Sequence, residues 1–302
     1  NNEERALIGT AYKKNGKEKA VLLGLKIITP RLKELKEILQ REITETSSKN
    51  LKIYCWRGGL RSASVAQFAN LLGFKTVLLN GGYKAYRKWS LNQFEKKWPL
   101  RLIGGKTGTG KTYLLQELAK MEKSTIDLEG IANHKGSSFG GLGLPPQPSC
   151  EQYENLLAEE LFKAEGSLAN EIWLEAESAN LGKCRIPNKL FIQMKESPLL
   201  LIKRSKEERI QLLVKEYSLH SKEELKEATL RISKRLGPQR TSKALDSIQE
   251  GLWEEACLAM LDYYDKCYEY ELEKIVLKQT IDFSGLSPEA SAKQLIQHAH
   301  VY

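Results

Sequence analysis

The stretch LRLIGGKTGTGKTYLL, residues 100–115, decides the fold of this chain. Gly105, Gly110, Lys111 and Thr112 complete the pattern G-x-x-x-x-G-K-[ST], which is typical of a phosphate-binding loop. A short apolar run before the loop predicts a buried strand, and the apolar residues after it have helical spacing. Strand, glycine loop and helix together would direct backbone N–H groups and a helix N-terminus at a phosphate.

Each residue type in this loop has a chemical role. Glycines, Gly108 among them, let successive N–H groups turn inward. Lys111 supplies a cation, and Thr112 supplies a hydroxyl that suits Mg²⁺. The alternative is a surface loop rich in Gly, Lys and Thr that matches the pattern by chance. Because the flanking strand and helix are both present, the sequence favours polyphosphate binding.

Composition limits the class of protein. The 302 residues suffice for one large or two ordinary domains, and the net charge of +9 favours an anionic partner. We find no signal-like N-terminus and no apolar run of about 18 residues, so we expect a cytoplasmic protein without a membrane partner. The five cysteines lack C-x-x-C and zinc spacing, which predicts reduced thiols. The sequence assigns no residues to a resident metal site, and it leaves Mg²⁺ open as a companion of bound phosphate.

A second chemical stretch is LKIYCWRGGLRS, residues 51–62. It predicts a short strand that ends at Cys55, a glycine-containing basic loop and a helix. Backbone N–H groups, the helix N-terminus and the guanidinium groups of Arg57 and Arg61 would all favour the thiolate. The alternative is a buried inert cysteine before an ordinary turn. Two arginines and two glycines beside the cysteine disfavour this alternative. We predict Cys55, Arg57 and Arg61 as catalytic residues.

Periodicity outlines the rest of the chain. It predicts an amphipathic helix over 33–43, a polar loop over 44–50, a strand over 76–79, a helical linker over 88–99 and one long helix over 244–275. Further strands are expected at 124–127, 172–174 and 199–202. We place the domain boundaries at 1–90 and 98–302.

Other site candidates follow the second predicted strand of the phosphate-loop domain. Asp127 and Glu129 stand at its end, and His134 lies in a loop rich in Gly, Pro and Ser that runs to Pro148. Connections of that length without regular structure are often functional. A lone histidine is more often a surface residue, but this one lies among acidic, basic and hydroxyl side chains, which favours a role in the site.

Acidic residues also end the third predicted strand, where phosphate-loop enzymes place a carboxylate linked to a metal. The candidates are Glu175, Glu177 and the adjacent Ser178. The alternative is a solvated strand end.

Residues 203–243 contain 12 lysines and arginines against six acidic residues. The candidates for contact with nucleic acid are Arg231, Lys234, Arg235 and Arg240. Three interpretations remain open: a solvated helical face, a basic wall for tRNA, or a lid over phosphates.

The motifs together resemble the tRNA 2-selenouridine synthase family. The resemblance is carried by residues 55–62, the phosphate loop, Asp-Leu-Glu-Gly at 127–130 with Asn-His at 133–134, Glu-Ala-Glu-Ser at 175–178, and Arg-Leu-Gly at 235–237. The strand, Cys loop, helix, strand and Gly-Gly turn also resemble the second half of a rhodanese domain. The Cys-x5-Arg loop is longer than the usual Cys-x4-Arg loop, and the first rhodanese strands are missing from the start of this chain.

The resemblance implies an α/β protein: a partial rhodanese-like domain, then a P-loop NTPase-like parallel α/β domain with a helical C-terminal part. It also implies a cytoplasmic enzyme that acts on 2-thiouridine at the wobble position of tRNAs for Lys, Glu and Gln. Such an enzyme attaches a geranyl group from geranyl diphosphate to the sulfur. It then replaces the S-geranyl group with selenium from selenophosphate, so it depends on a selenophosphate supply.

Three other functions remain as alternatives at this point. The first is an ATP-dependent kinase or NTPase with a regulatory cysteine domain. The second is a non-catalytic RNA- or partner-binding module, which the intact Cys55 and Lys111 disfavour. The third is a rhodanese-type phosphatase, because such enzymes have a Cys-x5-Arg loop.

Overall fold

The structure is a computed structural model, and it describes residues 2–46, 49–166, 171–272 and 278–299. The chain divides into two compact units, Asn1–Lys88 and Trp89–Tyr302. In the described residues, no helix combines the length and the apolar character needed to cross a membrane.

The first unit contains a small parallel sheet. In chain order its elements are α1 (Asn2–Ile28), a 3₁₀ turn (Thr29–Arg31), α2 (Leu32–Thr46), β1 (Asn50–Ile53), α3 (Leu60–Leu71), β2 (Lys75–Leu78) and α4 (Gly82–Gln93), which continues into the second unit. Strands β1 and β2 pair from Asn50–Lys75 to Ile53–Leu78. The predicted strand over 76–79 is therefore confirmed with a shift of one residue.

The core of this unit lies between the sheet and α2 and α3. Leu39, Ala69 and Phe74 are its buried members. Helical spacing predicts Ile38 on the same apolar face as Leu39, but Ile38 is 46% exposed. Helix α2 also runs to Thr46, so the polar loop predicted from residue 44 starts too early, and residues 47–48 lie outside the described part.

Two strands are all that the described residues of this unit contribute to a sheet. The rhodanese-like assignment is not confirmed, because a two-stranded sheet with one crossover helix is common to many α/β folds. The residues before β1 form helices, and α1 is interrupted at Gly16, where φ is +83°. The helical linker predicted over 88–99 is wrong in its bounds, because α4 begins at Gly82 and ends at Gln93.

The second unit is a larger α/β domain. Its elements are β3 (Leu100–Gly104), α5 (Lys111–Lys120), β4 (Thr125–Ile126), α6 (Leu128–Ala132), α7 (Cys150–Gly166), β5 (Ile172–Glu175), β6 (Asn180–Leu181), β7 (Cys184–Arg185), α8 (Asn188–Glu196), β8 (Leu199–Lys203), α9 (Lys206–Tyr217), α10 (Lys222–Arg231), α11 (Ser233–Leu236), α12 (Pro238–Glu250), α13 (Trp253–Leu272), β9 (Lys278–Asp282) and α14 (Pro288–Ala299).

Five of these strands form one parallel sheet in the order β4-β5-β3-β8-β9. Every residue of β3 and β5 is buried, as expected for central parallel strands covered on both faces. Alternate residues face two different cores: Leu102 packs with α7 and α8, whereas Ile103 packs with α5 and α14. The predicted parallel α/β fold of this domain is confirmed.

Helices α9 to α13 form a helical part beside the sheet domain. The prediction of one helix over 244–275 is wrong, because α12 ends at Glu250 and α13 begins at Trp253. Gly251 has a φ of +80° and caps α12 in the left-handed conformation, which glycine adopts without steric cost. Residues 273–275 lie outside the described part. The basic segment 203–243 is divided among four helices, so its charges do not share one helical face.

Candidate active sites of the two units

The phosphate loop lies between the C-terminal end of β3 and the first turn of α5. Its glycines are required by the backbone. Gly108 and Gly110 have φ values of +80° and +84°, which other L residues rarely adopt. A Cβ on Gly105 would lie 2.6 Å from the Thr109 hydroxyl oxygen. The three glycines predicted from the motif are therefore structural requirements of the loop.

Two arginines from the β8–α9 region hold this loop. Arg204 Nε donates to the Thr109 carbonyl at 3.3 Å, and Arg209 Nε donates to the Thr107 carbonyl at 2.9 Å. The buried Arg209 guanidinium also forms a two-pronged ion pair with Asp265. We did not predict these contacts, because neither arginine differs in sequence from its basic neighbours.

Lys111 projects from the start of α5 towards the acidic strand end. Its Nζ lies 3.8 Å from a Glu175 carboxylate oxygen and 3.9 Å from one of Glu177. It also donates to the Gly105 carbonyl at 3.3 Å. Burial lowers the pKa of Lys111, but Glu177 and Glu175 raise it further than burial lowers it. The lysine is therefore a charged group at the mouth of the loop.

Glu129, Glu175 and Glu177 form a carboxylate cluster, with one oxygen from each lying within 4.8 Å of the others. Burial raises the pKa of Glu129 and of Glu175, and repulsion from Glu177 adds to both shifts. One lysine thus faces three carboxylates. An additional positive charge or bound protons must accompany this arrangement, because buried carboxylates are costly without compensation.

The cluster also fits a divalent cation. Glu175 is 1% exposed, and its Oε1 has no hydrogen-bond partner among the described residues. A hydrogen bond from Thr112 lowers the pKa of this carboxyl, so a hydroxyl lies beside the same carboxylate group. Carboxylate and hydroxyl oxygens are the ligands that Mg²⁺ prefers. We assigned no residues to a metal site from the sequence, and the structure brings together carboxylates that lie up to 48 positions apart in the chain.

A cleft with a volume of about 580 Å³ opens over the loop and the carboxylates. The helical part contributes four tyrosines and one isoleucine to its lining: Tyr217, Tyr263, Tyr264, Tyr268 and Ile232. The Gly105 N–H donates to the Tyr268 hydroxyl. Tyr264 and Tyr268 also pack against buried cores of this unit, so one helical face serves both the core and the cleft.

The remaining acidic and histidine candidates have different positions. Ser178 lines the cleft and donates to the Asn180 carbonyl at 3.0 Å. Asp127 caps α6 by accepting from the Gly130 N–H at 2.7 Å, and it is not part of the cleft lining. His134 lines a neighbouring pocket with Arg231. Burial first, and then Arg231, lowers the pKa of His134, which keeps its ring neutral near pH 7.

The basic candidates are also separated. Arg235 lines the cleft, whereas Lys234 and Arg240 are exposed. Arg231 donates to the Ser138 carbonyl at 3.1 Å and lies 3.5 Å from a Glu227 oxygen. Lys135, which also lines the cleft, forms an ion pair with Glu216.

The cysteine loop of the first unit follows β1. Burial raises the pKa of Cys55, but the Ser62 hydroxyl and the N–H groups of Ser62, Arg57 and Gly59 lower it to about 6. The Ser62 Oγ lies 3.3 Å from the sulfur and 3.0 Å from the Gly59 carbonyl oxygen, so its single hydrogen is within reach of either acceptor and can turn to the sulfur when the thiol is ionised. Arg57 and Arg61 are exposed. Ser62 was missed as a site residue, although its place at the start of the predicted helix is where such donors occur.

The Gly-Gly turn after β2 supports the cysteine loop. A Cβ on Gly82 would lie 2.1 Å from the Cys55 carbonyl oxygen, so only glycine fits there. The Tyr83 N–H donates to the same carbonyl at 2.9 Å. Of the five cysteines, the four whose side chains the structure describes are free thiols: Cys55, Cys150, Cys184 and Cys257.

Comparisons with a family model and with known sequences point to the same protein family. Residues 98–298 match the model of the tRNA 2-selenouridine synthase AAA domain. The tRNA 2-selenouridine synthase of Marinobacter nauticus is 35% identical over 90% of this chain and 81% of its own length. That of a Sulfurovum species is 33% identical over 97% of this chain and 86% of its own length. A solved protein of unknown character from Eubacterium ventriosum covers 68% of this chain and all of its own, at 10% identity and a TM-score of 0.34, too low to compare folds.

Proposed function

This chain belongs to the tRNA 2-selenouridine synthase family and is an enzyme, and from that premise we propose the two reactions that it performs. It converts wobble-position 2-thiouridine of tRNA to 2-selenouridine through an S-geranylated intermediate. The co-substrates are geranyl diphosphate and selenophosphate, and the tRNAs are those for Lys, Glu and Gln. The observation that carries the proposal is the presence in one chain of a phosphate loop and of an amide-lined cysteine loop.

In the first reaction, the thiocarbonyl sulfur of the base attacks C1 of geranyl diphosphate. A C–S bond forms, the C–O bond breaks, diphosphate leaves with the electron pair, and the base loses its N3 proton to water. The N–H groups of the phosphate loop and Lys111 are suited to the charge that develops on the leaving oxygen. The tyrosine-rich wall of the cleft suits the apolar chain of the same substrate. A phosphoryl transfer to water is not required.

A divalent cation fits this proposal. Thr112, Glu175, Glu177 and Glu129 are the residues that would hold it. When bound, it would offset negative charge on the diphosphate.

In the second reaction, selenium replaces the geranylthio group on C2 of the base. A C–Se bond forms, the C–S bond breaks, and geranylthiol leaves. The Cys55 thiolate then attacks phosphorus: an S–P bond forms, the P–Se bond breaks and leaves selenium on C2, and water hydrolyses the S–P bond to release phosphate and free the thiol. The N–H groups around Cys55 lower the pKa of a thiol and would equally hold an anionic selenium donor beside the sulfur.

A second candidate function is ATP or GTP hydrolysis. The observation that favours it is the Thr112 hydroxyl beside Glu175 at the end of β5, since nucleotide-hydrolysing enzymes place a carboxylate there. Vigorous ATP turnover by the purified chain without tRNA would support it.

The experiment is nucleoside mass spectrometry of tRNA from cells with and without this gene. We expect 2-selenouridine only with the gene, and S-geranyl-2-thiouridine to accumulate when selenium is withheld. If both nucleosides are absent in cells that carry the gene and are fed selenium, the proposal is rejected.

A further inference from the structure

Three aromatic rings lie in a row directly beside the cysteine loop. The ring centroids of Trp56 and Tyr83 are 5.5 Å apart at 35°, and those of Tyr83 and Tyr86 are 5.9 Å apart at 38°. The row begins at the residue that follows Cys55. Trp56 is 53% exposed, although a large aromatic side chain ordinarily gains stability from burial.

Backbone contacts fix this row relative to the sulfur. Tyr83 N–H donates to the Cys55 carbonyl, and Lys84 N–H donates to the Trp56 carbonyl, both at 2.9 Å. The close approach of Gly82 to the Cys55 carbonyl excludes a Cβ there. The backbone at Trp56 is therefore held in place by hydrogen bonds, and the exposure of its ring does not come from a loosely held loop.

The stretch of chain that carries the row is basic. Residues 46–94 contain eight lysines and arginines and no aspartate or glutamate. Arg57, Arg61 and Lys84 in this stretch are exposed. An exposed ring beside exposed cations is the combination that single-stranded nucleic acid recognises, because bases stack on the ring while phosphates meet the cations.

We propose that Trp56, backed by Tyr83, is a stacking platform for the target base of the tRNA, and that Arg57, Arg61 and Lys84 receive the adjoining phosphates. This inference rests on the proposed function for the identity of the RNA. It goes beyond that function by naming the residue that holds the base next to Cys55. Every base has a π-face, so the platform selects by position in the RNA and leaves recognition of the base edge to other groups.

The test uses the full chain and an anticodon stem-loop RNA with 5-iodouridine at the wobble position, which crosslinks to stacked aromatic rings on irradiation. We expect mass spectrometry to place the crosslink on Trp56. Trp56→Ala should remove that crosslink and weaken RNA binding about 10-fold. Trp56→Phe should retain most of the binding, because a smaller ring still stacks.

Tyr54→Ala is the matched control. Tyr54 lies on the other side of Cys55 and is 62% exposed, but it takes no part in the described row of rings. It should change neither crosslinking nor binding. The alkylation midpoint of Cys55 should stay near pH 6 in Trp56→Ala, which separates loss of a platform from collapse of the loop.

A crosslink on the tyrosines of the second unit would overturn the platform, as would equal loss of binding in Tyr54→Ala and Trp56→Ala. A competition experiment gives a further test. If a polyglutamate peptide displaces the RNA equally well from wild type and from Trp56→Ala, the platform is overturned, since charge alone would then explain the affinity. Binding and crosslinking need no selenium or geranyl donor. A chain that crosslinks through Trp56 but makes no selenouridine would therefore reject the proposed function and keep the platform.

Discussion

The cysteine loop (residues 55–62) and the phosphate loop (residues 105–112) are built alike and charged differently. Each follows a strand of a parallel sheet, turns through at least one glycine with positive φ (Gly58 in the first, Gly108 and Gly110 in the second) and leads into a helix. Backbone N–H groups of the cysteine loop point at the Cys55 sulfur, and the phosphate loop lines the cleft. The phosphate loop adds Lys111 and three nearby carboxylates, whereas the cysteine loop adds a thiol and two exposed arginines.

The difference shows that the backbone supplies anion binding and the side chains supply the chemistry. In the cysteine loop the bound anion is the Cys55 thiolate itself, because neighbouring N–H groups and Ser62 lower the thiol pKa to about 6. At Lys111 the carboxylates raise the lysine pKa and keep it cationic for an external anion. One loop therefore presents a nucleophile, and the other presents a cation.

The largest expected effect is that of Cys55→Ser on the second reaction alone. Because a serine hydroxyl is not ionised at neutral pH, selenium incorporation should be abolished while S-geranylation and tRNA binding persist. The measurement is nucleoside mass spectrometry after incubation with each donor. Cys150→Ser, which removes another exposed free thiol, is the control. Normal selenouridine formation in Cys55→Ser would exclude the thiol from the mechanism.

The next largest effect concerns the other loop. Lys111→Ala should slow S-geranylation by about 10²- to 10³-fold, the usual cost of removing one preorganised group that stabilises transition-state charge. The rate is measured with geranyl diphosphate and thiolated tRNA. Lys120→Ala is the control, since Lys120 lies on α5 with a side chain that is 70% exposed. A wild-type rate in Lys111→Ala would separate the phosphate loop from geranyl transfer and favour the nucleotide alternative.

A third prediction tests whether the basic segment serves tRNA or the phosphate loop. Removing Arg231, Lys234 and Arg235 together should make the log–log salt dependence of tRNA binding shallower by about 2 to 3 units if all three contact phosphates. Fluorescence titrations at several salt concentrations measure this slope.

Arg235→Ala alone sharpens that test, because Arg235 lines the cleft. If it acts as a lid, affinity for a diphosphate analogue should fall while the tRNA slope keeps its wild-type value. If neither quantity changes in the triple variant, the segment is a solvated face.

The smallest expected effect is a shift in thiol titration. The rate of Cys55 alkylation should reach half its maximum near pH 6 and fall as the pH drops further, because the thiolate is lost through that range. Ser62→Ala should raise the midpoint by about one pH unit, since one hydrogen bond to a charged group is worth about 1.5–3 kcal/mol. An unchanged midpoint would assign the low thiol pKa to the backbone N–H groups alone.

The sequence predicted the parts of the molecule that local patterns determine. The phosphate loop, the strands predicted near 100, 125, 172 and 199, and the cysteine loop all follow from residue spacing within about 15 positions. The sequence did not predict the ends of helices where a single residue decides them. Gly251 divided a helix that apolar spacing alone made continuous.

Tertiary structure alone decided which distant side chains meet. Glu129, Glu175 and Glu177 come together because β4 and β5 are neighbours in the sheet and end at the same edge. Tyr268 reaches the phosphate loop from a helix more than 150 positions away in the chain. Periodicity reports which face of an element is apolar, but it does not report which element that face meets, and the charge and shape of both sites depend on that pairing.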